Sequence, residues 1–233
     1  MRTPILLLAV VGCTAAANAD IIDFENLAHG EVVTDQYAQM GVSISVINFN
    51  KAFDAGVVFN SNLTGTADPD LEAANRVGGN FEGSTGNILI IQENDLGLDT
   101  GFASDPDDEG GRPGGQIILE FDTALSSFGF DVMDLDDLSL EMTSVDFYAG
   151  QIVVASYDFA TFAAVRNATF GDSTANRIDP LGAERAFDRV VFNVGGSMGF
   201  DNFNYTVVPS PSSLAMVLAG GALCVTRRRT RVA

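Results

Sequence analysis

Between residues 20 and 207 the chain consists of short apolar runs separated by clusters of Gly, Asn and Asp. Apolar and polar residues alternate singly in Val42-Ser43-Ile44-Ser45-Val46, the period of a strand with one buried face. Ile88-Leu89-Ile90-Ile91 is apolar without a break, the pattern of a strand buried on both faces. On this basis strands are predicted over 21–24, 42–49, 56–60, 88–92, 116–122, 127–132, 144–148, 152–159, 187–194 and 200–207. No segment sustains a helical period, and 71–76 and 179–185 are each predicted as one helical turn. About ten strands without an internal repeat predict an all-β fold, a jelly-roll-like two-sheet β-sandwich. Such folds pair their first and last strands, and Asp23-Phe24-Glu25 and Asp201-Asn202-Phe203 fit that pairing. Nothing marks a boundary inside 20–207, which is read as one domain of ordinary size for an all-β body. Its longest irregular stretch, 93–115, carries seven acids and one Arg, and loops of that length in compact domains are functional or mobile.

The two ends read differently from the body. Arg2 supplies a positive start, residues 5–11 are apolar, and Ala17-Asn18-Ala19 is a small-x-small cleavage site. Residues 1–19 are therefore read as a signal helix that addresses the chain to the Sec translocon and signal peptidase, leaving Asp20 as the new N-terminus. Val10-Val11-Gly12-Cys13 resembles a lipoprotein box and gives an alternative in which Cys13 is lipidated. At the other end, Val208-Pro209-Ser210-Pro211-Ser212-Ser213 precedes an apolar run over 214–225. The cluster Arg227-Arg228-Arg229-Thr230-Arg231 follows it. The apolar run is short against the roughly 20 residues of a spanning helix. By the positive-inside bias the Arg cluster stays cytoplasmic, so the tail is held while the body is exported.

This order of motif, short transmembrane helix and Arg cluster resembles the PEP-CTERM sorting signal of Gram-negative bacteria. Pro209, Pro211 and Ser212 match the motif, whereas Ser210 and Ser213 replace its Glu and Thr. The resemblance covers residues 208–233. It implies transient anchoring in the inner membrane, an exosortase-like sorting protease as partner, and an end point at the cell surface or outside the cell.

Charge sharpens the division. All 31 acids lie between Asp20 and Asp201, with seven basic side chains among them, so the body carries −24 against −19 for the whole chain. Phosphate neutralisation needs clustered Lys and Arg, so nucleic acid is excluded as a partner. Acidity of this kind favours cations. Cys13 and Cys224 both fall outside the body, which rules out disulfides and Cys-ligated zinc there.

The acids are grouped. Asp68-Pro69-Asp70, Asp105-Pro106-Asp107-Asp108 and Asp134-Leu135-Asp136 each place two or more carboxylates on one predicted turn or strand end. Ca²⁺ takes about six to eight oxygen ligands from carboxylates and carbonyls. Loops at one end of a sandwich can gather them, so Asp68, Asp70, Asp105, Asp107, Asp108, Asp134 and Asp136 are the candidate Ca²⁺ ligands. Glu25 and Asp201 form a second candidate pair where the terminal strands meet. The competing reading is that these are solvated acidic loops.

The series over residues 64–137 resembles a segment of secreted bacterial proteins with an Asp-Pro-Asp-Leu turn and a Gly-Asn-apolar-Gln-Glu strand. A Pro-Asp-Asp loop with Gly-Gly and an apolar-Asp-x-Asp strand end follow in that segment. That resemblance implies fold and order but no reaction. Asp105, Asp107, Glu109 and Gly110 fit an EF-hand loop at its first positions, but Gln116 falls where the bidentate Glu is needed and no helices flank the loop, so an EF-hand is rejected.

His29 is the only His, and any Ser-His-Asp arrangement would have to use it. No catalytic residue is assigned. The chain lacks Trp and has four Tyr, few of the exposed aromatics that sugar platforms need, and its 17 Phe are assigned to the core. The expected function is a non-enzymatic, Ca²⁺-binding structural or adhesive protein of the cell surface or extracellular matrix, with extracellular polysaccharide as a partner. A carbohydrate-binding module is the alternative and a two-carboxylate glycosidase the second.

Overall fold

A computed structural model of the chain describes residues 19–209 except 82, 84, 137, 138, 166 and 167. Residues 1–18 of the segment read as a signal and residues 210–233 of the segment read as a sorting tail lie outside the described residues. Among the described residues nine strands and one α-helix follow in order: β1 (Ala19–Ile22), β2 (Val42–Asn48), β3 (Gly56–Asn60), β4 (Asn87–Ile91), β5 (Gly115–Met133), β6 (Ser144–Ala149), β7 (Ile152–Asp158), α1 (Phe159–Val165), β8 (Ala175–Val194) and β9 (Gly199–Val207). The fold is all-β, every strand pairing is antiparallel, and the arrangement is consistent with a β-sandwich.

The hydrogen bonds run through one continuous nine-stranded sheet, not two separate ones. The reason lies in β5 and β8. The first half of β5 runs between β2 and the end of β8, and its second half runs between β9 and the start of β8. Register shifts between Glu120 and Phe130 mark the change. The two strands predicted over 116–122 and 127–132 are thus one strand. Thr123, Ala124 and Ser126 read as a turn, yet Leu125 between them is fully buried and keeps the chain extended.

The same pull explains why 179–185, predicted as a helical turn, belongs to β8. Ile178 and Leu181 are buried opposite Phe130 and Phe128, and Pro180 falls at an irregularity in the ladder, where a missing N–H is tolerated. Residues 71–76 do hold a helical turn, Ala73–Asn75. Helix α1 was not predicted. Asp158 caps it, accepting hydrogen bonds from Thr161 N at 2.7 Å and Thr161 Oγ1 at 2.9 Å.

The alternation in β2 appears as predicted, with Val42, Ile44, Val46 and Asn48 buried and the residues between them exposed. Strand β4 is buried on both faces. Leu89 and Ile91 join the main core, while Ile88 and Ile90 join a second cluster with Val57, Phe59, Leu71, Ala103 and Met133. Phenylalanine rings fill the main core. Phe128 meets Phe121, Phe130, Phe147, Phe192 and Phe203 at centroid distances of 5.7–6.3 Å, drawing in β5, β6, β8 and β9. Strand β1 pairs with β9, Ile22 opposite Phe203, so the first and last strands do meet.

Candidate functional site

The fully buried second cluster holds down the loops that carry the acids. Leu71 is completely buried there, which pins the preceding turn. In that turn Asp68 accepts hydrogen bonds from Asp70 N at 3.1 Å and Leu71 N at 3.3 Å. Gln92, one residue past β4, is also fully buried and grips the second loop from both sides. Its Nε2 donates to the Asp105 carbonyl at 3.0 Å, and its Oε1 accepts from Asp107 N at 3.3 Å. Main-chain bonds from Glu93 N to Asp107 O and from Glu109 N to Ile91 O complete the clamp. The third contributor, Asp134, follows the end of β5 with φ +58° and accepts from Ser173 N at 2.6 Å.

These three segments converge. Asp68, Asp107 and Asp108 each offer an oxygen within 4.8 Å of the others. Asp134 joins them through Ser197, whose Oγ lies 3.0 Å from both Asp108 oxygens and 2.8 Å from Asp134 Oδ2. Asp70 is tied in through Ser173 Oγ, which donates to it at 3.2 Å. Asp68, Asp108 and Asp134 are at most 8% exposed.

Burial raises Asp68, Asp107, Asp108 and Asp134. It holds Asp108 well above the usual carboxylate range, with the charges of Asp68 and Asp134 adding to the effect. Desolvation, with Asp68 and Glu93 beside it, lifts Asp107 to about 6. Asp134 rises to about 7, again chiefly by burial. Asp68 is raised for the same reason. The donor set is oxygen alone, without His or Cys, which suits a hard cation such as Ca²⁺ better than zinc.

Two of the predicted ligands are placed otherwise. Asp105 is exposed, and its carbonyl serves as an acceptor for Gln92 and Asn94. Asp136 is engaged by an ion pair with Arg112 and by Ser139 N at 2.8 Å. Sequence reading missed Ser173 and Ser197. The signals available were the turn-forming Gly171 and Gly195-Gly196 just before them.

Exposed Glu25 follows β1, and its charge acts on buried Asp201 in β9. The carboxylate of Glu25 accepts from Asn87 N at 2.9 Å and lies against Gly86, whose φ of +56° favours glycine. Asn87 itself is buried and donates to the Phe24 and Leu27 carbonyls, while its Oδ1 has no hydrogen-bond partner. Asp201 is 3% exposed and accepts from its neighbour Asn202, through N at 2.6 Å and Nδ2 at 2.8 Å. Burial, reinforced by the charges of Asp131, Glu25 and Asp23, pushes it up to about 9.

His29 accepts from Asn60 N at 3.0 Å through Nδ1 and meets the Phe59 ring edge-on, a packing role.

No protein-family model matches the chain, and no curated protein matches it. Among solved structures the chain is similar to the K2 cleaved adhesin domain of Lys-gingipain (Kgp), at a TM-score of 0.39 and 16% identity, over 82% of this chain and 100% of that one.

Proposed function

We propose that this is an exported, non-catalytic β-sandwich of jelly-roll type whose acidic loops bind Ca²⁺. Its role is structural or adhesive, at the cell surface or in the extracellular matrix, with extracellular polysaccharide as a partner. The observation that carries the Ca²⁺ reading is the position of Ser197. A hydroxyl has one proton to donate, yet this one faces three carboxylate oxygens of Asp108 and Asp134 within 3.0 Å. One proton can be shared between the two oxygens of Asp108 or given to Asp134, so one of the two carboxylates faces the hydroxyl oxygen without a proton unless a carboxyl is neutral or a cation sits between the groups. Asp68, Asp70, Asp107, Asp108 and Asp134 are the ligands, and at neutral pH a divalent ion answers their shared charge better than protons do. A second, structural Ca²⁺ is assigned to Glu25 and Asp201, beside Asn87, whose backbone N–H donates to Glu25.

Titration calorimetry tests the centre. Ca²⁺ is expected to bind with release of protons at pH 6, because the raised carboxyls must ionise to ligate. Asp108→Asn should abolish one site and leave the other. Heat of binding unchanged by Asp108→Asn would sink the assignment.

Export rests on the terminal segments. The mature protein from its host is expected to begin at Asp20, and mass spectrometry reads this directly. A mature chain that retains residues 1–19 would overturn that part of the reading.

A further inference from the structure

On the outer side of the sheet half formed by β1, β9, β5 and β8 lies a groove of about 310 Å³, at the lower end of ligand-site volumes. Gly129, in the middle of β5, is the cross-strand partner of Asn204, one of the residues that line it. A Cβ at Gly129 would come within 2.8 Å of Asn204 Oδ1 and 2.9 Å of the Ile178 carbonyl oxygen. A strand-interior glycine weakens a sheet and marks places where another group must approach closely. Here it lets the Asn204 amide lie across the strand.

The polar wall is rigid. Arg177 grips buried Asp131 through two bonds of 2.8 Å, Nε to Oδ1 and Nη2 to Oδ2, and its guanidinium stacks 4.6 Å from the centre of the Phe81 ring. Asn202, with φ +50°, donates through Nδ2 to both Asp131 and Asp201 at 2.8 Å, and Asn204 donates to the Asn202 carbonyl. Opposite these groups stand two apolar surfaces, Pro180 and the half-exposed Ile21.

We infer that this groove is the recognition site for a neutral sugar unit of a glycan. A pyranose carries adjacent hydroxyls, each both donor and acceptor, on its rim and C–H groups on its faces. Fixed planar guanidinium and amide groups meet the first, and Ile21 and Pro180 meet the second. Charge selects the class. Asp131 neutralises Arg177, and Asp179 stands on the rim, so a carboxylated or sulfated sugar gains nothing and meets repulsion. Preorganisation favours affinity because the wall loses little freedom on binding.

This deepens the adhesive reading and rests on it, by naming what the surface holds. The full chain, kept in detergent, is applied to an array of neutral, uronic-acid and sialylated glycans, with and without Ca²⁺. Signal is expected on neutral glycans alone. Asn204→Ala and Ile21→Ser should each weaken it about fivefold to tenfold, with Ile21→Ser deciding if Asn204→Ala lowers the melting temperature. No signal on neutral glycans, signal confined to acidic ones, or neutral binding untouched by both variants overturns the groove. Attachment of protein-coated beads to host polysaccharide that survives both variants keeps adhesion and still rejects this site.

Discussion

Adding millimolar Ca²⁺ to protein stripped with EDTA is expected to raise the melting temperature by about 5–11 °C for each site filled. The figure follows from binding to the native state alone. An ion at 100 times its dissociation constant stabilises by about 2.7 kcal/mol. In a chain of this size each kcal/mol moves the midpoint by roughly 2–4 °C. The sign of the pH dependence is fixed by the carboxyls. Asp107, Asp134 and Asp201 titrate at about 6, about 7 and about 9 in the fold, all above their unfolded values. A raised carboxyl holds its proton more tightly when folded, so the metal-free fold carries no penalty from these groups below about pH 4. The penalty grows as pH rises toward the folded values and is complete above them. Scanning calorimetry without metal should therefore show stability falling between about pH 4 and 9, and Ca²⁺ should reverse the fall. Equal midpoints in EDTA and Ca²⁺ at pH 7.5 would falsify both sites at once.

Phe128→Ala is expected to give the largest loss of stability of any single core substitution. The ring is fully buried and touches five other aromatic rings from four strands. Truncating a buried Phe costs about 3–5 kcal/mol, since the neighbours cannot close the space. That is a large share of the roughly 5–15 kcal/mol that holds a domain together. The midpoint should fall by about 6–20 °C. Phe49→Ala, at a 52% exposed ring, is the control and should move it by only a degree or two. Comparable shifts for the two would mean that Phe128 is not the hub.

What the sequence made legible follows from how local each signal is. The alternation of β2 and the unbroken apolar run of β4 are set by burial of neighbouring residues, and both can be read directly. The length of β5 and β8 cannot. It depends on Leu125, Ile178 and Leu181 finding the core from across the sheet, against turn-like neighbours such as Thr123 and Pro180. The acidic turns announced themselves by composition, but composition did not sort them. Asp108 and Asp136 look alike in sequence, and only the position of Arg112, 24 residues away, makes Asp136 half of an ion pair. Ser197 carries no signal of its own, because a serine becomes informative only when three carboxylate oxygens are found around it.

The place of β9 bears on how the body resists pulling. Strand β9 ends at Val207, and it is bonded on one edge to β5 and on the other to β1 and β4. Tension applied at Val207 along the axis of β9 loads that strand lengthwise. It is shared at the same moment by the bonds on both edges, instead of opening them one after another as a zipper does. The route from Val207 to the Gly129 groove is equally short, since Thr206 pairs with Ser127 and Asn204 with Gly129. A load between Val207 and the groove crosses only this pair of strands and leaves the acidic loops out of the line of force.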